Sequence, residues 1–125
     1  MIKGIGIDVV HGERLKKWMN NPRLLERYFH PDELKAALSR GSGAVLSLAV
    51  RFAAKEAFGK ALGTGLKDIV LKDIMVLNYH NGCPSISLFN TALKALKKSG
   101  AEYVHISLTH EKDHAIAMVV LEDGK

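Results

Sequence analysis

The chain alternates apolar and non-apolar residues almost from its start. Ile5, Ile7 and Val9 share one face of a predicted strand over residues 2–10, and Gly4, Gly6 and Asp8 share the other. Glycines beside Asp8 leave that second face bare, so another backbone or a ligand can come close. From residue 12 the period lengthens. Leu15, Trp18 and Met19 form an inward stripe opposite charges that include Arg14, Lys16 and Lys17. This predicts one helix or two across residues 12–29, with a break at Asn20-Asn21-Pro22. His30-Pro31-Asp32 is a turn that opens a short helix over residues 32–39, and Arg40-Gly41-Ser42-Gly43 is a flexible joint. The longest helix runs over Ala44–Leu62 and is closed by Gly63-Thr64-Gly65. Residues 69–79 predict a strand, 80–82 a turn and 84–88 a short strand. Asn90–Ser99 predicts a helix ended by Gly100. Residues 102–109 and 114–121 alternate strictly and predict an antiparallel hairpin. The expected class is α+β: one domain over residues 1–125, with an antiparallel sheet packed against one long buried helix.

Composition narrows the function. A chain of 125 residues suits one compact domain, and 47% hydrophobic with 25% charged residues excludes wholesale disorder. No apolar run approaches the roughly 18 residues of a membrane-spanning helix, so no membrane role is expected. The N-terminal run lacks the pattern of a signal peptide, and the single Cys83 cannot form an internal disulfide; both point to the cytoplasm. A net charge of +5 implies an acidic partner. Charge alone leaves nucleic acid, a phosphorylated small molecule and an acidic protein all open.

Candidate chemistry centres on Glu56. On a helical wheel at about 100° per residue, Glu56 lies within about 80° of Val45, Leu48, Ala49 and Phe52. Arg51 and Lys55 lie together on a different face, roughly 140° and 100° away on the same wheel. Glu56 is therefore expected inside an apolar stripe, where a carboxylate needs a cation, and Lys60 at i+4 is placed to supply it. A purely structural ion pair is the competing reading. Asp8 poses the same choice between a helix cap and a functional acid. Together, Asp8 and Glu56 could hold Mg²⁺, a hard cation that takes oxygen ligands and shares its shell with phosphates. His110-Glu111-Lys112-Asp113-His114 matches the zinc-protease pattern H-E-x-x-H, which requires a helix. Here it falls in a strand-to-strand turn, so no zinc site is expected. The glycine-rich stretch from Gly59 to Gly65 follows a helix where a P-loop precedes one, although its backbone could still line a phosphate.

These pieces, in this order, resemble the holo-acyl-carrier-protein synthases, the short AcpS-type phosphopantetheinyl transferases. GIGIDVV with Arg14 resembles the first motif of that family, RFAAKEAFGKALGTG over residues 51–65 the central motif, and HISLTHEKDHAIAMVVLE over residues 105–122 the C-terminal motif. The resemblance covers essentially the whole chain. It implies transfer of 4′-phosphopantetheine from coenzyme A to a serine of apo-acyl carrier protein, releasing adenosine 3′,5′-bisphosphate, in fatty acid biosynthesis. It implies Mg²⁺ on Asp8 and Glu56, and catalysis by Glu56 and Lys60. Coenzyme A would contact Arg51, Lys60, Gly63, Pro84 and His110. Arg14, Met19, Arg23 and Arg27 would dock the acidic carrier. The family implies a homotrimer with its sites between subunits. Two departures stand out: Gly82-Cys83-Pro84 lacks the basic residue common before that proline, and His114 stands where tyrosine is common. An RNA-binding protein would explain the charge but not Glu56, and aromatic residues are only 6% with no stacking motif, so no nucleic acid is expected. A metal-dependent phosphohydrolase is the enzyme alternative.

Overall fold

A computed structural model of the chain describes residues 1–78 and 81–125. Its order is β1 (Ile2–His11), α1 (Gly12–Trp18), α2 (Pro22–Tyr28), α3 (Pro31–Leu38), α4 (Ala44–Leu62), β2 (Ile74–Asn78), β3 (Pro84–Leu88), α5 (Asn90–Ser99), β4 (Tyr103–Glu111) and β5 (His114–Glu122). Three antiparallel strands form one sheet in the order β1-β5-β4, and β2 and β3 form a separate ribbon. The α+β class and the antiparallel sheet against a long helix are as expected.

The glycine-bearing face of β1 meets α4. A Cβ on Gly4 would collide with the carbonyl oxygen of Ala61, and one on Gly6 with that of Ala57. Glycine lets strand and helix backbones touch, and the alanines on α4 do the same from the other side. From β5, Ala115, Ala117, Val119 and Leu121 complete the buried layer. The opposite face is apolar yet open. Ile5, Ile7 and Val9 are 60%, 55% and 56% exposed, and Met118 of β5 lies directly across from Ile7.

Helix boundaries follow local chemistry. Asn21 caps α2 through Oδ1, with Pro22 in the first turn. His30 and Glu33 form a reciprocal capping box on α3. Gly63 ends α4 in the left-handed region at φ 82°. The strand expected from residue 69 begins only at Ile74. Residues 71–73 form a 3-10 turn, because Thr91 Oγ1 accepts from Val70 N while Asp73 caps α5 through Thr91. The joint at residues 41–43 is also a 3-10 turn. Tyr79 and His80, where that strand ends and the turn at 80–82 starts, lie outside the described residues.

The wheel needs a larger correction. Arg51 and Lys55 do not face solvent: Arg51 is 4% exposed and Lys55 fully buried. Helix α4 is covered on nearly every side, by β1, β5, α1, α3 and the β2–β3 ribbon, so its buried surface is no single stripe. Glu56, expected in the apolar stripe, is only half-buried.

Candidate active site

The close approach of β1 to α4 sets the first part of the site. Asp8 follows the bare Gly6 on the inner face of β1, and α4 presents Glu56 and Lys60 one turn apart. Lys60 Nζ donates to Asp8 Oδ1 at 2.9 Å and to the Ile7 carbonyl at 3.0 Å. The pairing expected between Lys60 and Glu56 therefore goes to Asp8 instead, because the strand lies within reach of the lysine's long stem. Among the described residues no donor meets the carboxylate of Glu56. Desolvation raises its pKa first and the charge of Asp8 second, while Arg14 and Lys60 oppose the rise.

Arg14 reaches this cluster from α1. Its guanidinium carbon lies 4.9 Å from the Phe52 ring centroid and 5.8 Å from that of Trp18. These aromatic faces hold the cation beside Glu56. Met19, Arg23 and Arg27 continue the surface along α1 and α2, with Arg27 5.9 Å from the Tyr28 ring.

The donor set fits a hard divalent cation. Asp8 and Glu56 are two carboxylates close enough for one to raise the pKa of the other, and a bound cation relieves that repulsion. Among the described residues no three His, Cys, Asp or Glu side chains converge on a metal position. A cation here would draw its remaining ligands from water and phosphate, as Mg²⁺ does. The H-E-x-x-H residues take a different geometry: His110 and Glu111 are the last two residues of β4, His114 starts β5, and Lys112 turns between them at φ 53°. The helical face that pattern needs does not form.

The second part is an open cleft of about 960 Å³ between α4, β2, β3 and β4. Arg40, Ser47, Arg51, Pro84, Thr109 and His110 are among its lining residues. Arg51 Nε donates to the Val76 carbonyl at 2.8 Å, and Nη1 donates to the carbonyl and the hydroxyl of Ser47. Asp8, Glu56, Lys60 and Gly63 do not line this cleft. One copy of the chain thus carries an acidic site and a basic cleft on different sides of α4.

Sequence reasoning missed Glu33. It is fully buried in α3, and its Oε1 accepts from Lys55 Nζ at 2.7 Å and from His30 N at 3.0 Å. Its Oε2 accepts from Val76 N at 3.0 Å. Lys55 Nζ also donates to the carbonyls of Leu71 and Ile74. Burial pushes the Lys55 ammonium down, and Glu33 holds it up. The available signal was the capping box, with Glu three residues after the cap.

Comparison with known proteins gives concordant results. The profile of the 4′-phosphopantetheinyl transferase superfamily matches residues 4–119. A holo-[acyl-carrier-protein] synthase of Treponema denticola is 59% identical over 122 residues, spanning 98% of this chain and 99% of the relative. Among solved structures, the holo-[acyl-carrier-protein] synthase of Neisseria meningitidis superposes with a TM-score of 0.88 at 34% identity, over 98% of this chain and 100% of the other. That of Bacillus anthracis, solved in complex with coenzyme A (3′,5′-ADP), gives a TM-score of 0.83 at 36% identity over 99% of both chains.

Proposed function

The chain belongs to the 4′-phosphopantetheinyl transferase superfamily, and on that premise we propose that it is a Mg²⁺-dependent holo-acyl-carrier-protein synthase of fatty acid biosynthesis. It moves 4′-phosphopantetheine from coenzyme A to a serine hydroxyl of apo-acyl carrier protein. The observation that carries this reading is the cluster on β1 and α4: Lys60 hydrogen-bonded to Asp8, beside a desolvated Glu56.

The chemistry follows from those groups. The serine Oγ attacks the phosphorus that bears the pantetheine, a P–O bond forms, and the bond to adenosine 3′,5′-bisphosphate breaks. Mg²⁺, held by Asp8 and Glu56, supplies charge neutralisation at the diphosphate when bound. Glu56, whose carboxyl is pushed up by desolvation, is suited to take the serine proton. Lys60, whose Nζ is held beside Asp8, is the cation suited to neutralise or protonate the departing phosphate oxygen. Arg51, Pro84 and His110 in the cleft take the nucleotide end of coenzyme A, with the Gly63 backbone at the diphosphate. Arg14, Met19, Arg23 and Arg27 dock the acidic carrier.

Because the acids and the cleft do not join within one copy, the reading includes assembly. The outer sheet face of Ile5, Ile7, Val9 and Met118 is a contiguous apolar surface of the kind that subunits cover. We assign it to a homotrimer in which the cleft of one copy meets the acids of the next. The whole chain acts as one domain, in the cytoplasm. Among the described residues no helix is long and apolar enough to cross a membrane.

The test incubates the protein with coenzyme A, Mg²⁺ and apo-carrier protein and reads the carrier by mass spectrometry. Addition of phosphopantetheine to serine is expected, abolished by chelator. Release of adenosine bisphosphate without carrier modification would replace this reading with a phosphohydrolase.

A further inference from the structure

Val76 is held from both sides by side chains. Its N–H donates to Glu33 Oε2 at 3.0 Å, and its carbonyl accepts from Arg51 Nε at 2.8 Å. The same strand is tied down two residues earlier, where the Ile74 carbonyl accepts from Lys55. Lys55 in turn pairs with Glu33. All these groups are buried: Glu33 and Lys55 are fully covered, Val76 is 1% exposed and Arg51 4%.

Of this network Arg51 and Val76 line the cleft, and Arg51 is the member that brings a charged group to it. A guanidinium has five N–H donors in a fixed plane. The Val76 carbonyl and the Ser47 carbonyl and hydroxyl take those on Nε and Nη1, and among the described residues nothing meets Nη2. Arg51 lines the cleft, and the Nη2 donors are those its partners among the described residues leave for it. Fixing Nε on one carbonyl fixes the plane, and with it the direction of the two free donors. That carbonyl is itself placed by the bond between Val76 N and Glu33.

We propose that Glu33 is a positioning residue for anion binding: locked by Lys55, it sets Val76, and through Val76 it aims Arg51 Nη2 at a phosphate in the cleft. This rests on the reading of Arg51 as a phosphate contact of coenzyme A. Glu33 touches no substrate and is no catalytic residue. Gln at 33 keeps the shape but offers a single acceptor oxygen for the donors of Lys55, His30 and Val76, so the grip on Val76 slackens.

The experiment is a binding cycle with adenosine 3′,5′-bisphosphate as the probe, read by calorimetry on the whole assembled protein. The variants are Glu33→Gln, Arg51→Met and the double substitution, each first checked for folding by circular dichroism. Arg51→Met is expected to weaken binding about 10- to 100-fold, the size of a lost hydrogen bond to a charged group. Glu33→Gln is expected to weaken it several-fold in the native background and not at all in the Arg51→Met background. It should raise the KM for coenzyme A while leaving the KM for the carrier unchanged. Equal weakening in both backgrounds would make Glu33 a general stabiliser and overturn the proposal, as would native binding by Glu33→Gln. Native binding by Arg51→Met would instead remove the phosphate reading of Arg51, and the positioning role with it. If Glu33→Gln does not fold, the apolar pair Glu33→Leu/Lys55→Met replaces it under the same criteria, since well-packed apolar residues commonly substitute for a buried ion pair without loss of fold.

Discussion

Helix α4 carries two lysine–carboxylate pairs, and they make opposite use of the same contact. Lys55 and Glu33 meet at 2.7 Å with both side chains fully buried. Lys60 and Asp8 meet at 2.9 Å with side-chain exposures of 54% and 17%. The distances differ little, so distance does not separate their roles. Surroundings do. The inner pair is enclosed by carbonyls and amides that leave it nothing further to bind. The outer pair sits beside a desolvated acid and an arginine, with water at hand, so its charges remain available to a ligand. In the first, an ion pair fixes a scaffold; in the second, it leaves charge exposed where the proposed chemistry needs it.

The sharpest way to break that contrast is to remove one lysine at a time. Lys55→Met leaves Glu33 buried without its cation and is expected to destabilise the fold by about 3–5 kcal/mol. Lys60→Met removes an exposed partner and is expected to cost less than about 1 kcal/mol. Urea unfolding of both variants measures the difference. Equal losses would mean that the two pairs are not distinguished by burial.

Activity should invert the order. Asp8→Asn and Lys60→Met are each expected to lower the rate of carrier modification by roughly 10²–10³-fold, the scale of one lost charge-stabilising group, with the fold intact. For Asp8→Asn the Mg²⁺ dependence should also weaken. Unchanged turnover and Mg²⁺ response in Asp8→Asn would remove this acid from the metal site.

Much of this arrangement was legible in the sequence, for reasons that are local. Gly63 stops α4 because its position requires a left-handed residue, and Gly4 and Gly6 announce a strand that something touches. The inner pair was illegible because a wheel assumes one wet side, and α4 has almost none. Arg51 and Lys55 look like a solvated face in one dimension, and only Glu33, 22 residues before Lys55, makes them a core. Lys60 likewise has a sequence neighbour at the right spacing, Glu56, yet bonds a residue 52 positions away. The cleft was legible only as scattered motif residues, since strands β2 to β4 assemble it.

A smaller effect is expected at Arg14, the proposed contact with the carrier. Arg14 is already oriented by Phe52 and Trp18, so its charge stands in place before a partner arrives. Complementary charge mainly speeds encounter and is screened by salt. Arg14→Glu should therefore lower kcat/KM for the acidic carrier about tenfold at low ionic strength, by the steering effect. Coenzyme A affinity should stay nearly unchanged. The native rate at low carrier concentration should fall as salt rises, and that of the variant should fall less. Normal carrier kinetics for Arg14→Glu at low salt would move the docking surface away from α1.

The smallest effect concerns Glu56 without metal, and its sign can be worked out. Desolvation and the charge of Asp8 raise the Glu56 pKa in the folded state above its value in the unfolded chain. The protonated form is thus favoured by folding. The stability this contributes is fully present below the unfolded pKa and is lost as pH rises through the higher folded value. At neutral pH the folded protein carries a carboxylate it would rather not ionise, so Glu56→Gln should stabilise the metal-free protein there. The gain should stay below about 1 kcal/mol, because water reaches this half-buried group and screens it. Thermal melts in chelator provide the test: the two proteins should melt together near pH 4, about where glutamate is protonated in either state, and the variant should pull ahead as pH rises. Added Mg²⁺ should then stabilise the native protein and not Glu56→Gln. An advantage for Gln that is constant with pH would assign the effect to packing, and the carboxylate would lose its place as the charged counterpart of Asp8.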